Sequence, residues 1–213
     1  TSAALQPITF NPQPQATASA EAAAQEPLTA TRAFTEAPAA IFPTLDRMTR
    51  LDMVDYFNSG SPKPSKNAFK GDSRIIAASD RSITIATSDV SEIQLSLLES
   101  GNDTILMVIN TLKTPAPDSG VRFYTTRWKE ITKGLFMVPL LDDWMLPEAQ
   151  KRRDDLENTV PFVLASITYD PQTATLTLKN NLGDFLPDDD SKWVSPLLHS
   201  QLVYKWNGKK MTK

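Results

Sequence analysis

One histidine, no cysteine and 25 acidic side chains bound the chemistry open to this 213-residue chain. His199 is the single side chain whose ordinary pKa lies near neutrality, and Ser195 and Ser200 stand close to it in sequence. A serine nucleophile needs a strained elbow and an oxyanion hole, and the Gly-x-Ser-x-Gly pattern that supplies them is absent. At the end of a helical stretch, after Leu197-Leu198, His199 is expected to cap the last carbonyls instead. The acids cluster at Asp142-Asp143, Asp154-Asp155 and Asp188-Asp189-Asp190. A glycosidase needs two carboxyls facing each other across roughly 5 to 9 Å, and linear spacing specifies no such pair. Asp188 to Asp190 can offer oxygen ligands to calcium but lack the spacing and terminal Glu of an EF-hand. An acid run before a helix is expected to cap its open N–H groups. No cofactor and no metal is called for.

Two stretches offer binding chemistry. Residues 122–129 (RFYTTRWK) mix aromatics with cations, a combination that stacks on sugars or bases. Strand alternation sends Phe123 and Tyr124 to opposite faces, so one face is expected to be core and the other a packed edge. The candidate contacts are Tyr124, Arg127 and Trp128. Residues 135–146 (LFMVPLLDDWML) are apolar, broken by Pro139 and Asp142-Asp143, and fit neither strand nor helix. Either they lid the core, or Phe136, Met137, Trp144 and Met145 form a docking patch for a partner.

The elements that position these residues follow from composition and periodicity. Hydrophobic residues make up 40% of the chain and charged residues 22%, enough for a globular core. A net charge of −3 is too small to steer a charged partner, and nucleic acid is disfavoured. The one tight basic cluster, Lys151-Arg152-Arg153, is followed at once by Asp154-Asp155. No run approaches the roughly 18 apolar residues of a membrane span. The chain starts at Thr1; a trimmed secretion signal fits this, and so does truncation during preparation.

Residues 1–28 are rich in Ala, Gln and Pro and hold no Lys or Arg, so they are expected to be a flexible segment. Within them Ala18 to Gln25 can form a short helix, and Ile8 and Phe10 can dock as an extended strand. Residues 29–213 are expected to form a single α+β domain. It opens with helices over 29–60: one capped by Thr31, a helical turn over 39–45, and one over 51–58 capped by Thr49, with a stripe of Leu51, Val54 and Phe57 and a stop at Gly60. A polar loop then leads to an antiparallel meander over 73–131, where Ile83 and Ile85, then Ile93, Leu95 and Leu97, alternate. Residues 105–112 read as a more fully buried strand, and 121–126 as the last strand of the meander. A helix/hairpin half follows over 147–213: a charged helix over 148–158 opened by Pro147, a hairpin around Asp170-Pro171, a short helix with Trp193, and a hairpin at Asn207-Gly208. The fold class is α+β, an antiparallel meander sheet with helices on one face, with two halves of similar plan in tandem.

Several of these stretches carry a family resemblance. Ala33-Phe34, Ile41-Phe42-Pro43, residues 50–56 (RLDMVDY), residues 121–128 (VRFYTTRW) and residues 202–208 (LVYKWNG) are together similar to a family of uncharacterised exported proteins of Bacteroidales, a domain-of-unknown-function family. The resemblance covers roughly Thr31 to Met211. It implies a periplasmic or cell-envelope location and brings no activity, cofactor or site residues. The functional expectation is a non-catalytic envelope protein that binds a protein or another envelope component through a sheet face and the adjacent apolar segment. The alternatives are a carboxylate-dependent hydrolase of a glycan or peptide, and a small-ligand carrier.

Overall fold

The computed structural model describes residues 26–213, so the expectations for Ile8, Phe10 and the Ala18 to Gln25 helix lie outside the described residues. Helix α1 spans Ala30–Glu36. Its cap is Thr29, not Thr31: Thr29 has the extended backbone a cap needs, and its hydroxyl oxygen accepts the Arg32 N–H at 3.1 Å. The helix stops because Ala37 precedes Pro38 and is driven to ψ 144°. Residues 39–45 form turns, with the Ile41 N–H on the Pro38 carbonyl and the Leu45 N–H on that of Phe42, rather than the expected helical turn.

Helix α2, Arg47–Asn58, begins a turn earlier than Leu51 because Asp46, not Thr49, is the cap; its carboxylate accepts the Thr49 N–H at 2.8 Å. The longer helix buries Arg50 and Met53, while Leu51 and Val54 are half-buried and Phe57 is exposed. Arg50 explains the rotation. Its Nη1 donates to the Phe34 carbonyl at 2.6 Å, at the open C-terminal end of α1, and its guanidinium lies 5.6 Å from the Phe42 ring centre. Gly60 closes α2 with φ +68°, as the Gly60 N–H reaches the Phe57 carbonyl and the Ser61 N–H that of Tyr56.

Seven strands follow as an antiparallel meander in sequence order: β1 Ser65–Lys66, β2 Asp72–Ala78, β3 Ser82–Ser88, β4 Ser91–Ser100, β5 Asp103–Leu112, β6 Asp118–Thr125 and β7 Glu130–Ile131. The expected strand at 121–126 therefore starts earlier, and β7 is the last of the meander. On one face Ile83, Ile85, Leu95, Leu106 and Val108 pack under α1 and α2 with Phe34, Phe42, Leu45 and Met53. On the other, Leu98, Met107, Ile109 and Phe123 join a second core. Strand β5 is thus buried on both faces from Leu106 to Ile109, which accounts for its unbroken apolar run.

The second core is closed by a four-stranded antiparallel sheet in the order β11-β10-β9-β8, made of β8 Ala165–Asp170, β9 Thr175–Asn180, β10 Gln201–Trp206 and β11 Met211–Thr212. Its edge strand β8 lies against the large sheet, and polar side chains satisfy its free backbone groups. Asp118 accepts the Ala165 N–H (3.1 Å) and Ser119 that of Ile167 (2.9 Å). The Gln94 amide accepts the Tyr169 N–H (2.9 Å) and donates to its carbonyl (2.7 Å).

Short helices complete this half: α3 Leu141–Trp144, a 3₁₀ turn Pro147–Arg152 running into α4 Arg153–Thr159, and α5 Asp188–Val194. The single helix expected over 148–158 is thus two pieces. The acids Asp188 to Asp190 lie in the first turn of α5 rather than before it; Asp190 accepts from Trp193 Nε1 and Asp189 pairs with Lys192, both at 3.3 Å. Each half of the fold begins with helices and continues into antiparallel sheet, seven strands in one and four in the other.

Candidate functional site

The sheet end at β6 and β7 and the coil that follows bring the candidate residues into one region. Tyr124 and Phe123 point to opposite faces as alternation demands, but both faces are covered: Phe123 enters the second core and Tyr124 the first. Trp128 sits in the β6–β7 turn with φ +63°, half-buried, its ring 5.5 Å from that of Tyr124. This pair packs at the end of a core, with Tyr124 buried and Trp128 half-buried. Arg127, in the same turn, is exposed.

Residues 135–146 divide sharply. Trp144 is 1% exposed and Met145 7%, so neither side chain forms a docking patch. Asp143 reaches back to accept the Leu140 N–H (2.9 Å) and start α3, which turns Trp144 into the core, where its carbonyl accepts the His199 N–H (2.7 Å). Met145 forms an isolated bridge with Leu198. Phe136 is half-buried, edge-on to Tyr204 with ring centres 5.3 Å apart. Burial, with Asp143 nearby, pushes the Tyr204 hydroxyl above its ordinary pKa. These residues lid the core. Met137 remains on the surface, 84% exposed, joined by two residues that sequence reasoning missed: Val138 at 70% and Leu140 at 74%. Their one signal was the lack of any period around Pro139, which left three apolar side chains without a core-facing register.

Residues 132–140 therefore form an apolar strap outside the sheet, and it meets two other segments. The Leu135 carbonyl accepts the Met211 N–H at 2.7 Å, tying the strap to the C-terminal hairpin. The tip of that hairpin is tied to the large sheet by Ser100, whose hydroxyl donates to the Gly208 carbonyl at 2.9 Å. Ser100, Asp103, Ile105, Arg127, Lys129 and Ile131 line a groove of about 520 Å³ at this sheet end. The juxtaposition gathers Arg127, Lys129, Lys133, Lys209, Lys210 and Lys213, all exposed. Among the described residues none of the six makes an ion pair. Acids stand there too: Asp103; Glu130, which faces Arg122 at 4.0 Å; Glu99, which pairs with Arg81 at 2.6 Å; and Asp143, whose carbonyl accepts from Lys213 Nζ at 3.4 Å. By contrast both arginines of the contiguous basic cluster are paired, Arg152 with Asp155 (3.3 Å) and Arg153 with Asp142 (2.6 Å) and Glu157 (2.7 Å).

Of the catalytic candidates, Asp142 in α3 is brought to α4 by Arg153, while Asp188 to Asp190 stand in α5. His199 makes its hydrogen bonds through its backbone, to Trp144 and to the Asn180 amide, so the expected capping by its ring is not what the described residues show. Asp46 and Asp170 have carboxyls held below their ordinary pKa by backbone N–H donors, those of Thr49 and Gln172 respectively. That direction is opposite to the one a general acid requires. A groove of about 290 Å³ lies between α2 and β1–β2, lined by Met53, Tyr56, Phe57 and Ile75 together with Lys63, Ser65 and Arg74. Among the described residues no group of three or more His, Cys, Asp or Glu stands together to hold a metal. No helix among them is long and apolar enough to cross a membrane.

A family model described as a protein of unknown function, DUF3256, matches residues 20–211. The chain belongs to the DUF3256 family. No curated protein matches this DUF3256 chain. Its fold is similar to the solved structure of a domain of an uncharacterized protein from Porphyromonas gingivalis W83, with a TM-score of 0.69 and 20% identity over 85% of this chain and 96% of that one. At that identity the likeness concerns the fold alone.

Proposed function

We propose that this DUF3256 protein is a non-catalytic binding module of the cell envelope whose contact surface is the 132–140 strap with the adjoining end of the large sheet. One observation carries the reading: Met137, Val138 and Leu140 are three of four consecutive residues and stand 70 to 84% exposed, with Val138 lining a groove of about 230 Å³ beside Lys133, Leu135 and Phe136. Isolated exposed apolar residues are ordinary, whereas a continuous exposed stretch marks an interaction site. The envelope location rests on the resemblance of the quoted motifs to exported Bacteroidales proteins. The test is affinity capture by the tagged chain from membrane and soluble fractions of the source cells. A retained component should be lost with the triple change Met137→Ser, Val138→Ser and Leu140→Ser at an unchanged melting temperature. Retention that survives all three changes rules this surface out.

A further inference from the structure

We infer that the partner of this surface is an anionic lipid bilayer, met by the strap and by the cations gathered around it. The inference rests on the binding reading above and names its partner. Two features coincide here, three of the cations from the stretch that leads into the strap and three brought from the C-terminal hairpin by the Leu135–Met211 and Ser100–Gly208 hydrogen bonds. The strap carries Met137, Val138 and Leu140 into solvent on coil backbone. Around it stand Arg127, Lys129, Lys133, Lys209, Lys210 and Lys213, six exposed cations without an ion-pair partner among the described residues, on a chain whose net charge is −3.

Each half of that surface excludes a competing partner. Near-consecutive residues on coil project in diverging directions, so a protein would need a shaped socket around each side chain. The acyl boundary of a bilayer surrounds an inserted side chain from every direction, and interfacial segments reach about 5–10 Å into it, a depth where headgroups and water still satisfy the backbone. A nucleic acid or other polyanion would engage the cations but offers nothing to Met137, Val138 and Leu140. Anionic headgroups above an apolar phase complement both features at once.

The experiment is sedimentation of the full chain with vesicles of phosphatidylcholine alone and of phosphatidylcholine mixed with phosphatidylglycerol, each at low and high salt, with heparin binding measured in parallel. The expected result is sedimentation with the anionic vesicles, weakened by salt. The triple change Lys129→Gln, Lys209→Gln and Lys210→Gln should lower partitioning on the order of 100-fold, about fivefold per lysine. The strap changes to serine should also lower it, with melting temperature and heparin binding unchanged. Absence from the anionic vesicles overturns the inference; if the strap changes still abolish capture of a protein, the binding reading stands with a protein as partner. Heparin binding at equal strength, with vesicle binding indifferent to the strap changes, overturns it in favour of a polyanion site. Failure of both vesicle binding and capture removes both readings.

Discussion

Trp144 and Met137 lie seven positions apart in one apolar stretch and take opposite roles. A large side chain 1% exposed contributes through the space it fills, so Trp144→Ala should destabilise the protein by about 3–5 kcal/mol. Met137→Ser, at a position 84% exposed, should change stability by less than about 0.5 kcal/mol. Urea denaturation of the two variants measures both, and near-equal midpoints would contradict this assignment of lid and surface. The contrast also explains why the strap, and not Trp144, carries the changes that test binding. Sequence reasoning placed both residues in one candidate patch because aromatic and thioether side chains read alike until their burial is known.

Helix α2 shows how one cap moves a whole element. With Asp46 at the start, the helix begins at Arg47 and its buried face passes through Arg50 and Met53. The Thr49 N–H holds the Asp46 carboxylate below its ordinary pKa of 3.8. A carboxyl depressed in the folded state adds stability that is full above its unfolded value and is lost as pH falls through the folded one. Asp46→Asn keeps the cap without the titration. Acid unfolding below about pH 4 should therefore be less steep in Asp46→Asn than in wild type; coincident curves of stability against pH would show that the charge contributes nothing. Asp and Thr both make good caps, and only the path of the preceding turns determines which oxygen reaches an open N–H group.

At the scale of the molecule, the joint between the two sheets is the decisive feature. A free strand edge is a liability, and here β8 is covered by side chains from the larger sheet. Gln94 matches both backbone groups of Tyr169, 75 positions away. Gln94→Ala leaves that donor and acceptor unpaired and should cost about 1–3 kcal/mol. Amide hydrogen exchange at Tyr169 should speed up with it, while protection at β3 and β5 stays high. Unchanged exchange at Tyr169 would mean that the sheets are held by apolar contact alone.

Much of this architecture is local and was legible from residues alone. The alternation of Ile83 and Ile85, the stop at Gly60 and the hairpin at Asn207-Gly208 each act within a few residues, where side-chain period and backbone stereochemistry decide the outcome. The α+β class follows from those signals in series. The surface proposed to bind is of another kind. Lys209 and Lys210 lie some 80 positions from Arg127 and Lys129, and they meet because the Ser100 hydroxyl holds Gly208 and the Leu135 carbonyl holds Met211. Charge counted along the chain showed one basic cluster, whose two arginines the fold pairs with Asp142, Asp155 and Glu157. Exposure and charge density are properties of surfaces, and a surface exists only after distant segments have packed.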